Sequence, residues 1–328
     1  MISTFLATLY AMLALFFCIA IGYTAKRCRL LPDNAGKTMA KMETWIFFPA
    51  LSFSTMARNF APKTLGTHAQ NLLLGVSAVA VAIAIAIPLS RAFAKRGTSE
   101  RGIYMYALAF ANSGYLGDAI VRGIYNDTIL SYYKFFGVPI SIAIYTWGIS
   151  RLIPGQKGGS LKKLLNPPMV ALFLGILTGL TGLGAILPSF LTTALDSLGA
   201  CMGPVAMILA GFTIASYPLR DMLTDRKIYL ASLLRLTVLP SVIVAVVFGL
   251  KTAANALFDL SIGSEVLFYA FIATGAALGL NTVVFPEAYG GNPKTGAGMA
   301  LISHTLAVIT IPLAISLLTL IFGNPFAV

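Results

Sequence analysis

Ten apolar stretches, each long enough at roughly 17 to 25 residues to cross a hydrocarbon core of about 30 Å, leave this chain few folds to adopt. They run approximately over Phe5–Thr24, Met39–Met56, Leu72–Phe93, Gly102–Val121, Leu130–Ile149, Pro168–Leu187, Leu198–Tyr217, Tyr229–Leu250, Val266–Ala288 and Gly296–Phe322. Inside a bilayer every backbone N–H and C=O must be paired within the protein, and a run of this length meets that demand as a helix. The expectation is an all-α polytopic membrane protein with ten transmembrane helices, short loops and no appended soluble domain. Composition agrees: 58% of the 328 residues are hydrophobic and 10% are charged, whereas soluble domains carry about a quarter charged residues.

A net charge of +12 raises nucleic acid as a partner, and the placement of the basic residues argues against it. Odd-numbered loops hold seventeen Lys and Arg, starting with Lys26, Arg27 and Arg29; even-numbered loops hold five, Arg58, Lys63, Arg122, Lys134 and Lys251. The positive-inside rule then puts the odd loops in the cytoplasm and both termini outside it. The charge is topological, so the expected surroundings are a lipid bilayer and no nucleic acid. The first segment has its basic cluster after it rather than before it, the reverse of a cleavable signal peptide, and is expected to stay as a helix. Cys18, Cys28 and Cys201 fit neither a metal-binding spacing nor a disulfide framework; no metal and no cofactor are expected.

Two segments carry interruptions. In the ninth, Gly275–Pro286 holds two glycines, Asn281 and a proline; in the fourth, Ala111–Gly117 holds Asn112, Ser113 and Gly114. Paired breaks in corresponding places of two halves point to a binding site near the midplane of a transporter. Five segments precede the basic, glycine-rich loop 151–167 and five follow it, dividing the chain into repeats over 1–150 and 168–328 that enter the membrane from opposite sides. Pro49–Ser54 aligns with Pro204–Leu209, Asn112 with Asn281, and Gly137–Thr146 with Thr310–Thr319, in the same order in each half.

Asn112 lies ten residues into its segment, which is about 15 Å at 1.5 Å per residue, the middle of the core. A helix restarted at such a break aims its unpaired N–H groups and positive dipole end at the midplane. Two such ends facing each other attract an anion. Asn112, Ser113, Gly114, Gly279, Asn281 and Thr282 are therefore the candidate substrate-binding residues, with a small organic anion as the substrate.

Several stretches together resemble the auxin efflux carrier family in its bacterial members: Asn112–Gly117, Asn166–Pro168, Leu280–Gly291, and Ser303–Leu306 followed by Ile311 and Pro312. The similarity extends over the whole chain. It implies relatedness to plant auxin carriers, to malate and malonate permeases and, more distantly, to bile-acid sodium symporters. It also implies a five-plus-five inverted repeat whose fourth and ninth segments are broken and cross at the midplane. Segments one, two, six and seven would form a scaffold, often a homodimer surface, and segments three to five and eight to ten a moving transport domain in a bacterial inner (plasma) membrane. The chain departs from the plant pattern in having no proline within Ala107–Asp118 or Gly275–Val284, in Asp118, and in a short central loop.

His304 is a candidate for proton coupling, set against a neutral ring donating to a carbonyl. Asp118 and Arg122 are four apart on one helix, as local support or as a gating or coupling pair. Arg235 needs to snorkel or find a partner, Glu287 being the nearest in sequence pattern. Ser52, Ser54, Thr55 and Thr213 either bond their own helices or face the substrate. Proton coupling, sodium coupling and uniport all stay open. No P-loop, HExxH or GxSxG motif occurs in a usable context, so an enzyme or an ATP-driven pump is not expected. The rivals are a sodium-coupled symporter of larger amphipathic anions and, from another class, a membrane sensor or an intramembrane enzyme.

Overall fold

The computed structural model describes residues 2–60, 62–118, 120–121, 127–153 and 166–326. Its helices in chain order are α1 (Ile2–Arg27), α2 (Ala35–Met42), α3 (Phe48–Asn59), α4 (Pro62–Leu89), α5 (Ser99–Ala109), α6 (Asp127–Ala143), α7 (Ile149–Leu152), α8 (Pro167–Leu180), α9 (Ser189–Ala215), α10 (Leu219–Thr224), α11 (Arg226–Leu236), α12 (Val238–Phe258), α13 (Glu265–Gly275), α14 (Asn281–Tyr289) and α15 (Lys294–Phe322). Short π-helical turns at Glu43–Phe47 and Ile144–Gly148 link α2 to α3 and α6 to α7, and a third, Ser113–Gly117, follows the end of α5.

Among the described residues, five helical stretches are long and apolar enough to cross a membrane: Ala69–Ala92, Tyr132–Leu152, Ser189–Ala215, Arg226–Phe258 and Lys294–Phe322. Segments four, six and nine of the sequence form shorter helices. The third segment starts at Pro62 rather than Leu72, and the eighth runs on to Phe258 but is interrupted at Thr237. Pro240 explains that interruption, because it has no N–H to offer and its ring crowds the carbonyl four residues earlier, at Leu236.

Helix starts are set by local chemistry. The Thr98 hydroxyl accepts from the Arg101 N–H at α5, the Asn166 side chain accepts from Met169 at α8, and Asp225 accepts from Lys227 at α11. Each satisfies an N–H that the first turn leaves without an intrahelical partner.

Two sets of helix contacts stand out, joined by contacts of α15 with α1 and α9 and of α14 with α2 and α9. Helix α1 lies along α9 with glycines at the contact, Gly22 against the Ile208 carbonyl and Gly211 against that of Ile19, while α3 lies along α8 and also meets α9. Small residues of this kind let membrane helices approach closely. In the other group α4 packs on α5, α6 and α12, α11 on α15, and α12 on α13. Outward faces of both groups carry Phe17, Phe173, Phe190, Leu257 and Leu320 in exposed positions, an apolar surface that suits lipid and would be a liability in water.

Candidate functional site

The two interruptions meet. Helix α5 stops at Ala109, Phe110 turns extended (φ −122°, ψ 130°), and α13 stops at Gly275 with Ala276 extended (φ −66°, ψ 164°). Between these ends Ala111 and Leu278 form a single antiparallel bridge, and the Asn112 N–H donates to the Ala277 carbonyl at 2.8 Å. The Leu278 N–H donates in turn to the Ser303 hydroxyl at 3.1 Å. Backbone groups freed by the breaks thus pair with each other and with α15, which is what irregular backbone at this depth requires. Gly279 eases the approach: a Cβ there would sit 3.3 Å from the Ala111 carbonyl oxygen, a tight contact.

Both asparagines are held from behind. Asn281, the first residue of α14, donates its amide to the Tyr106 hydroxyl at 2.6 Å. The Asn112 amide nitrogen lies 3.4 Å from His304 Nε2, and His304 Nδ1 lies 2.7 Å from the Ala300 carbonyl. A carbonyl only accepts, so Nδ1 carries the proton and Nε2 accepts from Asn112. The ring is neutral in this arrangement, and its place in the site is to orient Asn112.

In front of the asparagines is a cavity of about 110 Å³, lined on one side by Asn112, Ser113, Gly114, Gly279 and Asn281 and on the other by α3 residues including Phe48, Ser52 and Thr55. Tyr145 closes it from the π turn after α6; its hydroxyl lies 3.5 Å from that of Ser52, and its ring meets Phe48 edge-on. A second cavity, about 880 Å³, shares Leu51, Thr55, Gly114, Asp118 and Lys134 with the first and continues to Arg58 and Asp196. Two ion pairs line it, Lys134 with Asp118 and Arg58 with Asp196; the Ser54 hydroxyl also donates to Asp196.

Five of the six candidate substrate-binding residues therefore share one cavity. Thr282 does not join them: it is fully buried and its hydroxyl donates to the Gly279 carbonyl at 3.1 Å, serving the turn. Asp118 does line the site, but the partner found for it is Lys134, which sits within α6 rather than in a loop; Arg122 lies outside the described residues. Arg235 neither snorkels nor meets Glu287. It is 0% exposed, and its three guanidinium nitrogens have no hydrogen-bond partner among the described residues, while the charged neighbours of Glu287 are Lys26 and Lys37. Its side chain is enclosed in the protein interior, on a helix that packs against α15 and α5.

Sequence reasoning missed Tyr106, Tyr145 and Glu43. Midplane tyrosines in apolar segments carry a signal in their hydroxyls, which need partners when buried. Glu43 opens the π turn of the second segment at 0% exposure; the Ala206 backbone lies beside its carboxyl, and neither oxygen makes a full hydrogen bond among the described residues.

Broken helices meeting at a polar cavity inside a polytopic helical protein define the class as a membrane transport protein. The family described as membrane transport protein matches residues 7–162 and 156–315. The chain belongs to that family, which places it among transporters rather than enzymes. No individual curated protein matches the chain.

Proposed function

We propose that this chain is a secondary transporter that carries a small organic anion, a carboxylate or auxin-like acid, by alternating access about the two crossed breaks. The observation that carries the proposal is the antiparallel contact between Ala111 and Leu278, with Asn112 and Asn281 on one cavity. Helix α14 begins at that cavity and presents the positive end of its dipole there. Ten segments in a five-plus-five inverted repeat underlie this mechanism. Support for a scaffold comes from the close packing of α1, α3, α8 and α9, and for a moving domain from the mutual packing of α4 to α6 and of α11 to α13 with α15, with α14 and α15 at the boundary between them.

The 880 Å³ cavity opens at the ends of α3, α6 and α9 that the positive-inside rule assigns to the outside of a bacterial inner membrane. The conformation is then outward-facing. Asp118, the carboxylate lining the inner cavity, is engaged by Lys134, so uniport or proton coupling fits the lining better than sodium coupling.

The test is a thermal-shift panel on purified protein, wild type beside Asn281→Ala, with small carboxylates, indole acids, their amides and amines, each with and without sodium. A ligand at a hundred times its Kd adds about 2.7 kcal/mol. Stabilisation of the wild type by carboxylates, lost in Asn281→Ala, is the expected outcome. Stabilisation by amines or neutral solutes alone would overturn it.

A further inference from the structure

Arg235 is a fully buried cation whose guanidinium has no hydrogen-bond or ion-pair partner among the described residues. It lies nine residues beyond the start of α11 at Arg226, about 13 Å along the helix axis. Burying a full charge at such a depth costs several kcal/mol on insertion scales unless something compensates it. Lipid and water are both out of reach, because the residue is fully buried. Neither the buried Glu43 nor the half-buried Glu287 serves it: Glu43 stands beside Ala206 and Tyr145, and Glu287 beside Lys26 and Lys37.

What surrounds Arg235 is the rear wall of the crossing. Helix α11 packs on α5 and α15, and these two helices hold the two asparagines, α5 through Tyr106 on Asn281 and α15 through His304 on Asn112. Tyr106 is itself within electrostatic reach of the guanidinium. In front of that wall is a cavity lined by Asp118 and Lys134, which form an ion pair with each other.

We infer that Arg235 is the fixed counter-charge of the transported anion, acting from behind Tyr106 and Asn281 as a positioning and specificity-determining residue that does not touch the substrate. The inference rests on the proposed anion site. With the site empty the crossing carries one uncompensated positive charge; a monocarboxylate neutralises it. As a general scale, a charge on the order of 10 Å from an anion at an effective dielectric near 20 contributes roughly tenfold or more to its binding and nothing to that of a neutral isostere.

The deciding experiment compares the affinity of indole-3-acetate with that of indole-3-acetamide, and of malonate with malonamide, on wild type, Arg235→Met, Arg235→Gln and Arg235→Lys. The acid-to-amide preference should fall about tenfold or more in the Met and Gln variants and persist in Lys. A merely structural arginine would alter both ligands alike, so an unchanged preference in either neutral variant overturns the inference. Should neither neutral variant fold, Arg235→Lys decides: it keeps the charge, and loss of the preference there overturns the inference as well. If the wild type itself shows no preference for the acids, or Asn281→Ala keeps it, the anion site falls and takes the role of Arg235 with it; an Arg235 failure alone leaves the Asn281 dependence intact.

Discussion

Asn281 and Tyr106 are 175 positions apart in the chain, yet the amide of one donates to the hydroxyl of the other at 2.6 Å in a buried setting. The bond ties the start of α14 to α5, and so ties one broken helix to the other. Tyr106→Phe removes the acceptor and leaves the Asn281 amide free to rotate at the cavity wall. A neutral hydrogen bond of this kind is worth about 1 kcal/mol, so the KM for the transported anion should rise roughly fivefold while folded yield is unchanged. An unaltered KM in reconstituted uptake would show that the amide is not held for the substrate.

His304 joins two acceptor-donor relations in series, Nδ1 to Ala300 and Nε2 to Asn112. His304→Leu strands the buried Asn112 amide, at a cost of about 1 to 3 kcal/mol, and should lower the thermal midpoint and the uptake rate together. His304→Gln restores an acceptor and should recover most of both. Because the ring is neutral with both nitrogens engaged, the pH profile of uptake in His304→Gln should match that of the wild type. A shifted profile would assign His304 a proton-carrying role.

Both breaks were legible because an asparagine with glycines in the middle of an apolar run has no comfortable place in an unbroken membrane helix. Arg235 was not, since its isolation depends on which helices close over α11, and a lone arginine near a segment end reads equally well as a snorkelling one. Thr282 misled by adjacency: one residue on from Asn281, a turn of about 100° takes its hydroxyl away from the cavity and back to Gly279. Lys134 was counted with the loops although it sits inside α6, and Tyr106 and Tyr145 were indistinguishable from lipid-facing aromatics until their helices were packed. The residues that define the break were therefore readable, and those that support it from other helices were not.

Glu43 gives the third test. Its carboxyl is wholly inaccessible and makes no full hydrogen bond among the described residues, a burial that costs about 1 to 3 kcal/mol even for a neutral polar group. Glu43→Leu should therefore raise the thermal midpoint in detergent, against the usual trend for core substitutions. If transport survives, the residue is a structural liability of the scaffold; if stability rises and transport is lost, its carboxyl is needed in another conformation. A fall in stability would show that the carboxyl is held by the Ala206 backbone beside it.

The last prediction concerns the mouth of the site. Lys134 and Asp118 form an ion pair with side chains 15% and 19% exposed, and both residues line the inner and the outer cavity. Lys134→Met leaves the Asp118 carboxylate facing the path of an incoming anion, while Asp118→Asn leaves a cation there. The first should raise the KM for a carboxylate and the second lower it, each by at most about 1 kcal/mol once solvent screening of a partly exposed pair is allowed for. The effect of Lys134→Met should also shrink as salt rises from about 0.01 to 0.15 M, as the Debye length falls from roughly 30 to 8 Å. Combining the two substitutions removes both charges and should return the KM close to that of the wild type. Equal losses in both single variants, insensitive to salt and not relieved in the double, would mean that the pair holds α6 against the broken fourth segment and has no part in guiding the substrate.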